Sequence, residues 1–246
     1  MYRRDNEGVR MTLNFPKILI SLCVLVFLIP GSYGDTPKTA SGIPLDADWK
    51  VKVYEFSVTN ENHVAWGKAH SERNFHVSVQ LAKMEHVHLD TDIIFAAAFL
   101  HDIGAIPPYR KEGVEHEIRS VEVMEPLLKS FGFPIKKLPT VRNVILEHMY
   151  YHSTPPQSLE SRIFHDADSL DFLGDIGVVR IVALAQNKHK WAPDLPGAFI
   201  TLKGWTVELP TKLMTESAKV LARQRIEEMQ EFFKHLDQYT ALGTAL

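Results

Sequence analysis

The segment TDIIFAAAFLHDIG, residues 91–104, is an almost unbroken apolar run that ends in a histidine and an aspartate. A helix that is apolar on all sides is typical of the centre of a protein core. Asp90 or the threonine after it is expected to cap the start of this helix, and Gly104, with two prolines shortly beyond, is expected to end it. The sequence therefore predicts a buried central helix with His101 and Asp102 at its carboxyl end.

Apolar residues recur at three- and four-residue steps in the rest of the chain, which indicates further amphipathic helices. These predicted helices lie from about residue 61 onward and at 115–130, 141–148, 159–186 and 211–239. Residues 48–56 alternate in polarity, so a strand and a first helix are both compatible with them. Residues 191–210 are rich in proline and glycine and lack a helical period. Strand signals are otherwise sparse, and the predicted fold class is all-α, a helical bundle.

Residues 1–34 have the pattern of a secretory signal peptide. Basic residues precede an apolar run over 18–29, which is shorter than the roughly 20 residues that a membrane-spanning helix needs. Small residues follow, as expected for cleavage before Asp35. A cleaved signal predicts export to the periplasm or the medium, whereas an uncleaved one predicts a membrane anchor. Either Met1 or Met11 is compatible with the start of the chain.

The composition excludes several classes of protein. Hydrophobic residues make up 45% and charged residues 23% of the 246 residues, which rules out general disorder. The net charge of −3 argues against a protein that coats nucleic acid. Cys23 is the single cysteine, so neither an intrachain disulfide nor a cysteine-based zinc site is possible. The 12 histidines make metal or acid–base chemistry a serious candidate.

Three parts of the chain are expected from these patterns. They are a signal peptide at 1–34, a linker rich in Pro, Gly, Ser and Thr at 35–47, and a helical domain at 48–246.

Histidines and aspartates recur on separate predicted helices. Two polar groups at the end of the apolar segment, His101 and Asp102, cost free energy unless they are satisfied, and a cation would satisfy them. That pair alone fits equally well a histidine near the carboxyl end of a helix dipole. The other candidates are His70, His116, His148 and Asp168, each of which alone also fits a hydrogen-bonded core residue or a surface residue.

The order His, His-Asp, His, His, Asp resembles that of the HD superfamily of metal-dependent phosphohydrolases. The similarity covers most of the chain from about residue 49. The matching motifs are HSER at 70–73, AAFLHDIG at 97–104, HEIRS at 116–120, ILEH at 145–148 and HDADSLDFLG at 165–174.

The resemblance implies an all-α HD-domain-like bundle whose motif residues surround one or two divalent metal ions. By this resemblance the first four ligands are His70, His101, Asp102 and Asp168, and His116 and His148 match the positions that supply a second metal. Two assignments remain open. His76 competes with His70, although the arginine that the family expects three residues after the histidine favours His70. His152 competes with His148.

The implied chemistry is metal-assisted hydrolysis of a phosphate ester or nucleotide-like substrate. A divalent ion lowers the pKa of its bound water from about 15.7 to about 7 in the best cases. Asp102 would be shared between ions, and Arg73, Arg119 and Lys111 are candidates to hold phosphate oxygens. Glu147 and Asp171 are candidates to orient the ligating imidazoles or the water. His and carboxylate ligands suit Mn, Fe, Zn, Ni or Mg.

Other activities share this set of residues. Relatives of the same superfamily include di-iron oxygenases and hydratases of small nitriles, and a non-catalytic binding protein is a third possibility. The expected partner is a phosphorylated small molecule, with no nucleic acid polymer and no stable membrane insertion after signal cleavage. Trp191 and Trp205 are candidates either to cover the pocket or to lie in the core. The remaining histidines lack a motif and are interpreted as surface residues: His63, His86, His88, His189 and His235.

Overall fold

A computed structural model describes residues 36–240, which form a helical domain without a β-strand in that range. The helices are α1 Asp48–Asn60, α2 Lys68–Met84, α3 Thr91–Ala98, α4 His116–Phe131, α5 Leu138–Glu147, α6 Leu159–Leu170, α7 Gly174–Ala185, α8 Leu195–Glu208 and α9 Glu216–Tyr239. Short 3-10 turns lie at Ile103–Ala105, Ile135–Lys137 and Leu209–Thr211. The predicted all-α class is confirmed. The predicted signal peptide, residues 1–34, lies outside the described residues.

Helix α3 is the centre of the core, as its apolar sequence predicts. Every residue from Ile93 to Ala98 is buried, and α2, α5 and α6 pack around the helix. The Asp90 carboxylate caps the start of the helix by accepting hydrogen bonds from the backbone amides of Asp92 and Ile93. The helix ends at Ala98 rather than at Gly104, so His101 and Asp102 lie in the turn that follows. This turn gives neighbouring side chains the freedom to face one point.

Helices α7, α8 and α9 form a second group that packs against α6 and α2 mainly through α9. Asp166 of α6 connects the two groups, because its buried carboxylate accepts hydrogen bonds from the backbone amides of Met214 and Thr215 just before α9. None of the helices in residues 36–240 is both long enough and apolar enough to cross a membrane.

Two segments that the sequence left uncertain are helical. Residues 48–56 belong to α1, so the helical alternative is the correct one. The segment 191–210 contains α8, whose start is capped by the Asp194 side chain. Its helical period is hidden because apolar residues also lie on its outer face, where Ile200 is 72% and Val207 74% exposed.

The segment predicted as a linker, 35–47, packs onto the domain over its described part. Ile43 and Leu45 are buried in the core. The Thr39 hydroxyl and the Ser41 amide donate hydrogen bonds to the Glu72 carboxylate on α2. Two apolar side chains and one buried acceptor are enough to hold this Pro- and Gly-rich stretch against the helices.

Candidate metal centre

The side chains predicted as metal ligands converge from different parts of the fold. His70 lies on α2, His101 and Asp102 in the turn after α3, His116 at the start of α4, His148 directly after α5 and Asp168 on α6. All five of these elements contribute at or near a helix end, where side chains from several helices can approach one point.

His70, His101 and Asp168 form what we call the inner group. One ligand atom from each lies within 4.8 Å of the others. His70 Nε2 is 3.2 Å from His101 Nε2 and 3.0 Å from Asp168 Oδ1. All three side chains are buried. Atoms at these separations can surround a single ion.

His116 and His148 form the outer group, and Asp102 lies between the two groups. The Nε2 atoms of His116 and His148 are 3.3 Å apart. Asp102 Oδ1 is 3.4 Å from His116 Nε2, whereas its Oδ2 is 3.2 Å from His101 Nε2. In the outer group, His148 Nε2 is 4.0 Å from Asp102 Oδ1. In the inner group, His70 Nε2 is 3.5 Å from Asp102 Oδ2. The two oxygens of one carboxylate therefore face different groups.

The orientation of three histidine rings is set by a hydrogen bond at Nδ1, the nitrogen that faces away from the cluster. His101 Nδ1 is 3.0 Å from the Ala98 carbonyl oxygen, and His148 Nδ1 is 2.6 Å from that of Ile145. Because a carbonyl oxygen only accepts, Nδ1 carries the proton in both rings, and Nε2 of the neutral ring has a free lone pair. His70 Nδ1 lies 2.6 Å from the Asp171 carboxylate and is oriented in the same way.

The inward-facing atoms of the cluster are consequently almost all acceptors, either imidazole Nε2 or carboxylate oxygen. Buried acceptors that face one another cost free energy unless a cation or a proton lies between them. Burial acts against a charge on His101, but Asp102 and Asp168 outweigh it and raise the pKa of His101 to about 9. A proton on His101 therefore offsets part of the repulsion among these acceptors, as a metal ion would. Nitrogen and oxygen donors of this kind fit a divalent metal ion.

Asp102, His148 and Asp168 keep the protonation state that a metal ligand needs. Burial acts to raise the pKa of Asp102, yet the neighbouring imidazoles hold it well below its usual value. Burial, together with a positive His101, lowers the pKa of His148 to about 3, so this ring is neutral near pH 7. Asp168 also has a pKa below its usual value, because the nearby histidines outweigh its burial.

Asp171 holds His70 in place and is itself held by two arginines. Arg73 donates to both of its oxygens, at 2.8 and 2.9 Å, and Arg180 lies 2.8 Å from Oδ2. These charges outweigh burial and keep the pKa of Asp171 below its usual value. The structure therefore places Arg73 on Asp171 and not among the residues that line the cavity.

Arg180 is a residue that reasoning from the sequence missed. It is 2% exposed on α7, and it also donates to the carbonyl oxygens of Ala65 and Asp171. The sequence contains a signal for it. Burying a single arginine in the apolar run GVVRIVALA costs free energy unless its charge is paired, so a buried partner is expected.

Other predicted residues do not reach the cluster. The Glu147 carboxylate accepts a hydrogen bond from a backbone amide at the surface, 3.1 Å away. Lys111 is exposed, and Arg119 is bound to a glutamate and a backbone carbonyl. His76 is exposed and contacts a serine hydroxyl, which leaves His70 as the histidine of this helix in the cluster. His152 contacts the Glu117 carboxylate at 3.0 Å, outside the ligand set.

A cavity of about 590 Å³ opens onto the cluster. Asp102, His116 and Asp168 belong to its lining, which also contains several aromatic and basic residues. These include His63, Trp66, Arg110, Lys188, His189, Lys190 and Trp191.

Two of the lining residues correct the sequence interpretation. His63 and His189 were interpreted as surface histidines, but both are half-buried. His63 stacks on Trp66 with 3.9 Å between ring centres, and His189 contacts Trp66 and Trp191 edge-on. The two tryptophan alternatives are also resolved. Trp191 lines the cavity, whereas Trp205 is buried and donates a hydrogen bond to a tyrosine hydroxyl.

Comparison with known proteins agrees with this fold. Residues 68–173 match the HD domain family model. YpgQ from Bacillus subtilis is similar, with 22% identity, a TM-score of 0.60, and coverage of 77% of this chain and 95% of that chain. YpgQ in complex with ADP gives 23% identity, a TM-score of 0.58, and coverage of 77% and 94%.

A third similar structure is a predicted HD superfamily hydrolase from an uncultured Thermotogales bacterium. It has 24% identity, a TM-score of 0.54, and coverage of 76% of this chain and 88% of that chain. No curated protein sequence matches the chain.

Proposed function

We propose, from the HD domain that residues 68–173 form, that this chain is a metal-dependent hydrolase of a phosphate ester or nucleotide-like substrate. The observation that carries the proposal is the position of Asp102, whose two oxygens face the inner and the outer group separately. This arrangement suits two ions that share one carboxylate.

The residues that would hold the metal are the inner group, the outer group and Asp102. A divalent ion at such a site polarises a phosphoryl oxygen and makes water a stronger nucleophile near neutral pH. The chain's own contribution is to fix the ligands. Asp171 orients His70, and backbone carbonyls orient His101 and His148. The low pKa of His148 keeps its Nε2 lone pair available.

The aromatic and basic residues of the cavity lining favour an anionic substrate that contains a ring. Arg110, Lys188 and Lys190 supply positive charge there, and Trp66 and Trp191 supply aromatic faces. Positive side chains attract phosphate oxygens, and indole rings stack on planar groups. The volume of about 590 Å³ is sufficient for a ligand of nucleotide size. A similar fold, YpgQ, has been solved in complex with ADP.

This charge pattern also separates the proposal from its alternatives. A small nitrile is neutral, so three basic side chains in the cavity would not contribute to its binding by a hydratase. A di-iron oxygenase would use the same ligands, and it is distinguished by iron-dependent oxygen consumption.

The test combines metal content with ester cleavage. Metal per chain is measured on the purified full chain and on His101→Ala/Asp102→Ala. As a matched control, His235→Ala/Asp237→Ala makes the same two changes on the exposed end of α9. Each protein is then loaded with Mn, Fe, Zn, Ni or Mg and assayed with p-nitrophenyl phosphate, bis(p-nitrophenyl) phosphate and ADP.

We expect metal and phosphate-ester cleavage in the wild type and in the control, and neither in the double variant at the cluster. Metal binding without cleavage of any ester, together with oxygen consumption or nitrile hydration, would replace this proposal by one of the alternatives.

A further inference from the structure

The amide side chain of Asn74 enters the cluster of acceptors. It lies one helical turn after His70 on α2, and its side chain is fully buried. Its Nδ2 is 2.9 Å from Asp168 Oδ1 and 3.2 Å from His70 Nε2. Both neighbours are members of the inner group.

The orientation of the Asn74 amide follows from its neighbours. The Asp168 carboxylate oxygen only accepts, so the amide must present its NH₂ group to it. The opposite orientation would bring the Asn74 carbonyl oxygen against the lone pairs of that carboxylate. In the observed orientation that carbonyl oxygen is buried without a hydrogen-bond partner. An unpaired buried carbonyl costs free energy, so a compensating role for the NH₂ group is expected.

We propose that Asn74 is a positioning residue that holds Asp168 as a ligand of the inner metal ion. The hydrogen bond to Oδ1 fixes the rotation of the carboxylate, and a carboxylate oxygen has a second lone pair left for a cation. Asn74 thereby does for Asp168 what Asp171 does for His70. The inference rests on the proposed metal centre, but not on the identity of the substrate.

The chain offers two well-matched controls. Ser78 lies one turn farther along α2, is fully buried, and has a hydroxyl without a hydrogen-bond partner. Ser169 is the neighbour of Asp168 on α6, and its buried hydroxyl is likewise unpaired. Ser78→Ala and Ser169→Ala therefore remove a buried polar atom from the same two helices without removing a contact to a ligand.

The experiment is a titration of the metal-free full chain with Co²⁺, followed by its visible absorption spectrum. Asn74→Leu keeps the approximate size of the side chain and removes the donor. We expect it to weaken Co²⁺ binding roughly 10- to 100-fold, as is typical when a group that supports a ligand is lost. Ser78→Ala and Ser169→Ala should bind as the wild type does. If far-UV circular dichroism shows that Asn74→Leu is unfolded, Asn74→Ser takes its place with the same expected loss.

A double-mutant cycle separates positioning from general packing. If Asn74 acts through Asp168, Asn74→Leu has no further effect on Co²⁺ affinity in the Asp168→Ala background. An equal loss in both backgrounds would overturn the proposal, as would wild-type affinity in Asn74→Leu. A wild type that binds Co²⁺ but hydrolyses nothing would refute the proposed function alone. A wild type that binds no Co²⁺ would refute both.

Discussion

The inner and outer groups of ligands differ in how one of their members is held. His148 of the outer group is buried and fixed by the Ile145 carbonyl, as the inner rings are fixed, so the difference lies in His116. In the inner group, His70 is fixed by Asp171, Asp168 contacts Asn74, and every ligand is nearly inaccessible to solvent. In the outer group, His116 is 21% exposed, and it begins a helix that has no capping side chain. Its Nδ1 lies 3.1 Å from the Glu117 carboxylate of its own helix.

This difference predicts unequal affinities at the two positions. Ligands that are fixed before the ion arrives lose little conformational freedom on binding, so the inner group should retain its ion more strongly. The inner group lines the cavity through His70 and Asp168, and the outer group lines it through His116. Both groups therefore face the substrate, and the expected difference between them is in metal affinity.

The largest effect is expected from Asp102→Ala, because Asp102 is the one residue that both groups share. Loss of both ions removes several kcal/mol of transition-state stabilisation, which corresponds to a loss of about 1000-fold or more in kcat/KM. Metal analysis of the purified variant beside its activity checks this. Retention of one ion per chain would show that one of the two groups binds its ion without Asp102.

Asp171→Asn should affect the inner group selectively. The hydrogen bond to His70 is weakened and the buried Arg180 loses its charged partner, so both affinity and stability decrease. We expect metal affinity to fall roughly 10- to 100-fold and the free energy of unfolding of the metal-free chain to fall by about 3–5 kcal/mol. Metal titration and urea denaturation measure the two effects. Unchanged urea stability would contradict the importance of the Asp171–Arg180 pair.

His116→Ala should remove the outer ion and leave the inner one. The inner ligands do not contact His116 except through Asp102, so we expect the metal content to fall by about half at a saturating metal concentration. Elemental analysis after removal of excess metal gives the ratio. Loss of all metal in this variant would contradict the separation into two groups.

Binding of the ion should release protons in a defined pH range. The pKa of His101 in the metal-free protein is raised from its usual 6.5 to about 9, so between these values the folded chain holds a proton that an ion must displace. We expect release of about one proton per chain at pH 7.5, which disappears above pH 9. Titration calorimetry in buffers of different ionisation enthalpy measures it. The absence of proton release at pH 7.5 would contradict the raised pKa.

The sequence predicts the ligands better than the residues around them. The apolar segment before His101 predicts the central helix, because that signal is local in the chain. The ligand set is predicted from the order His, His-Asp, His, His, Asp through its resemblance to the HD superfamily. Asn74 contacts Asp168 where α2 packs against α6, and Arg180 contacts Asp171 and the Ala65 carbonyl from α7. No local sequence pattern contains these contacts. The α8 helix was missed for a related reason, since Ile200 and Val207 make its outer face apolar.

The same distinction explains the errors in the predicted roles. Arg73 was expected to hold phosphate, yet it binds the buried Asp171, because a partner distant in sequence satisfies its charge. Glu147 precedes a ligand in the chain, but its side chain extends to the surface. Adjacent residues on a helix point in directions about 100° apart, so proximity in sequence does not imply a shared site.

Anomalous diffraction from crystals of the Mn²⁺-loaded full chain tests most directly the claim that two groups share Asp102. We expect two manganese peaks, one beside each oxygen of Asp102. The peak at His70, His101 and Asp168 should have the higher occupancy at limiting Mn²⁺, and the other should lie at His116 and His148. A single peak at full Mn²⁺ saturation, or peaks that do not contact Asp102, would contradict it.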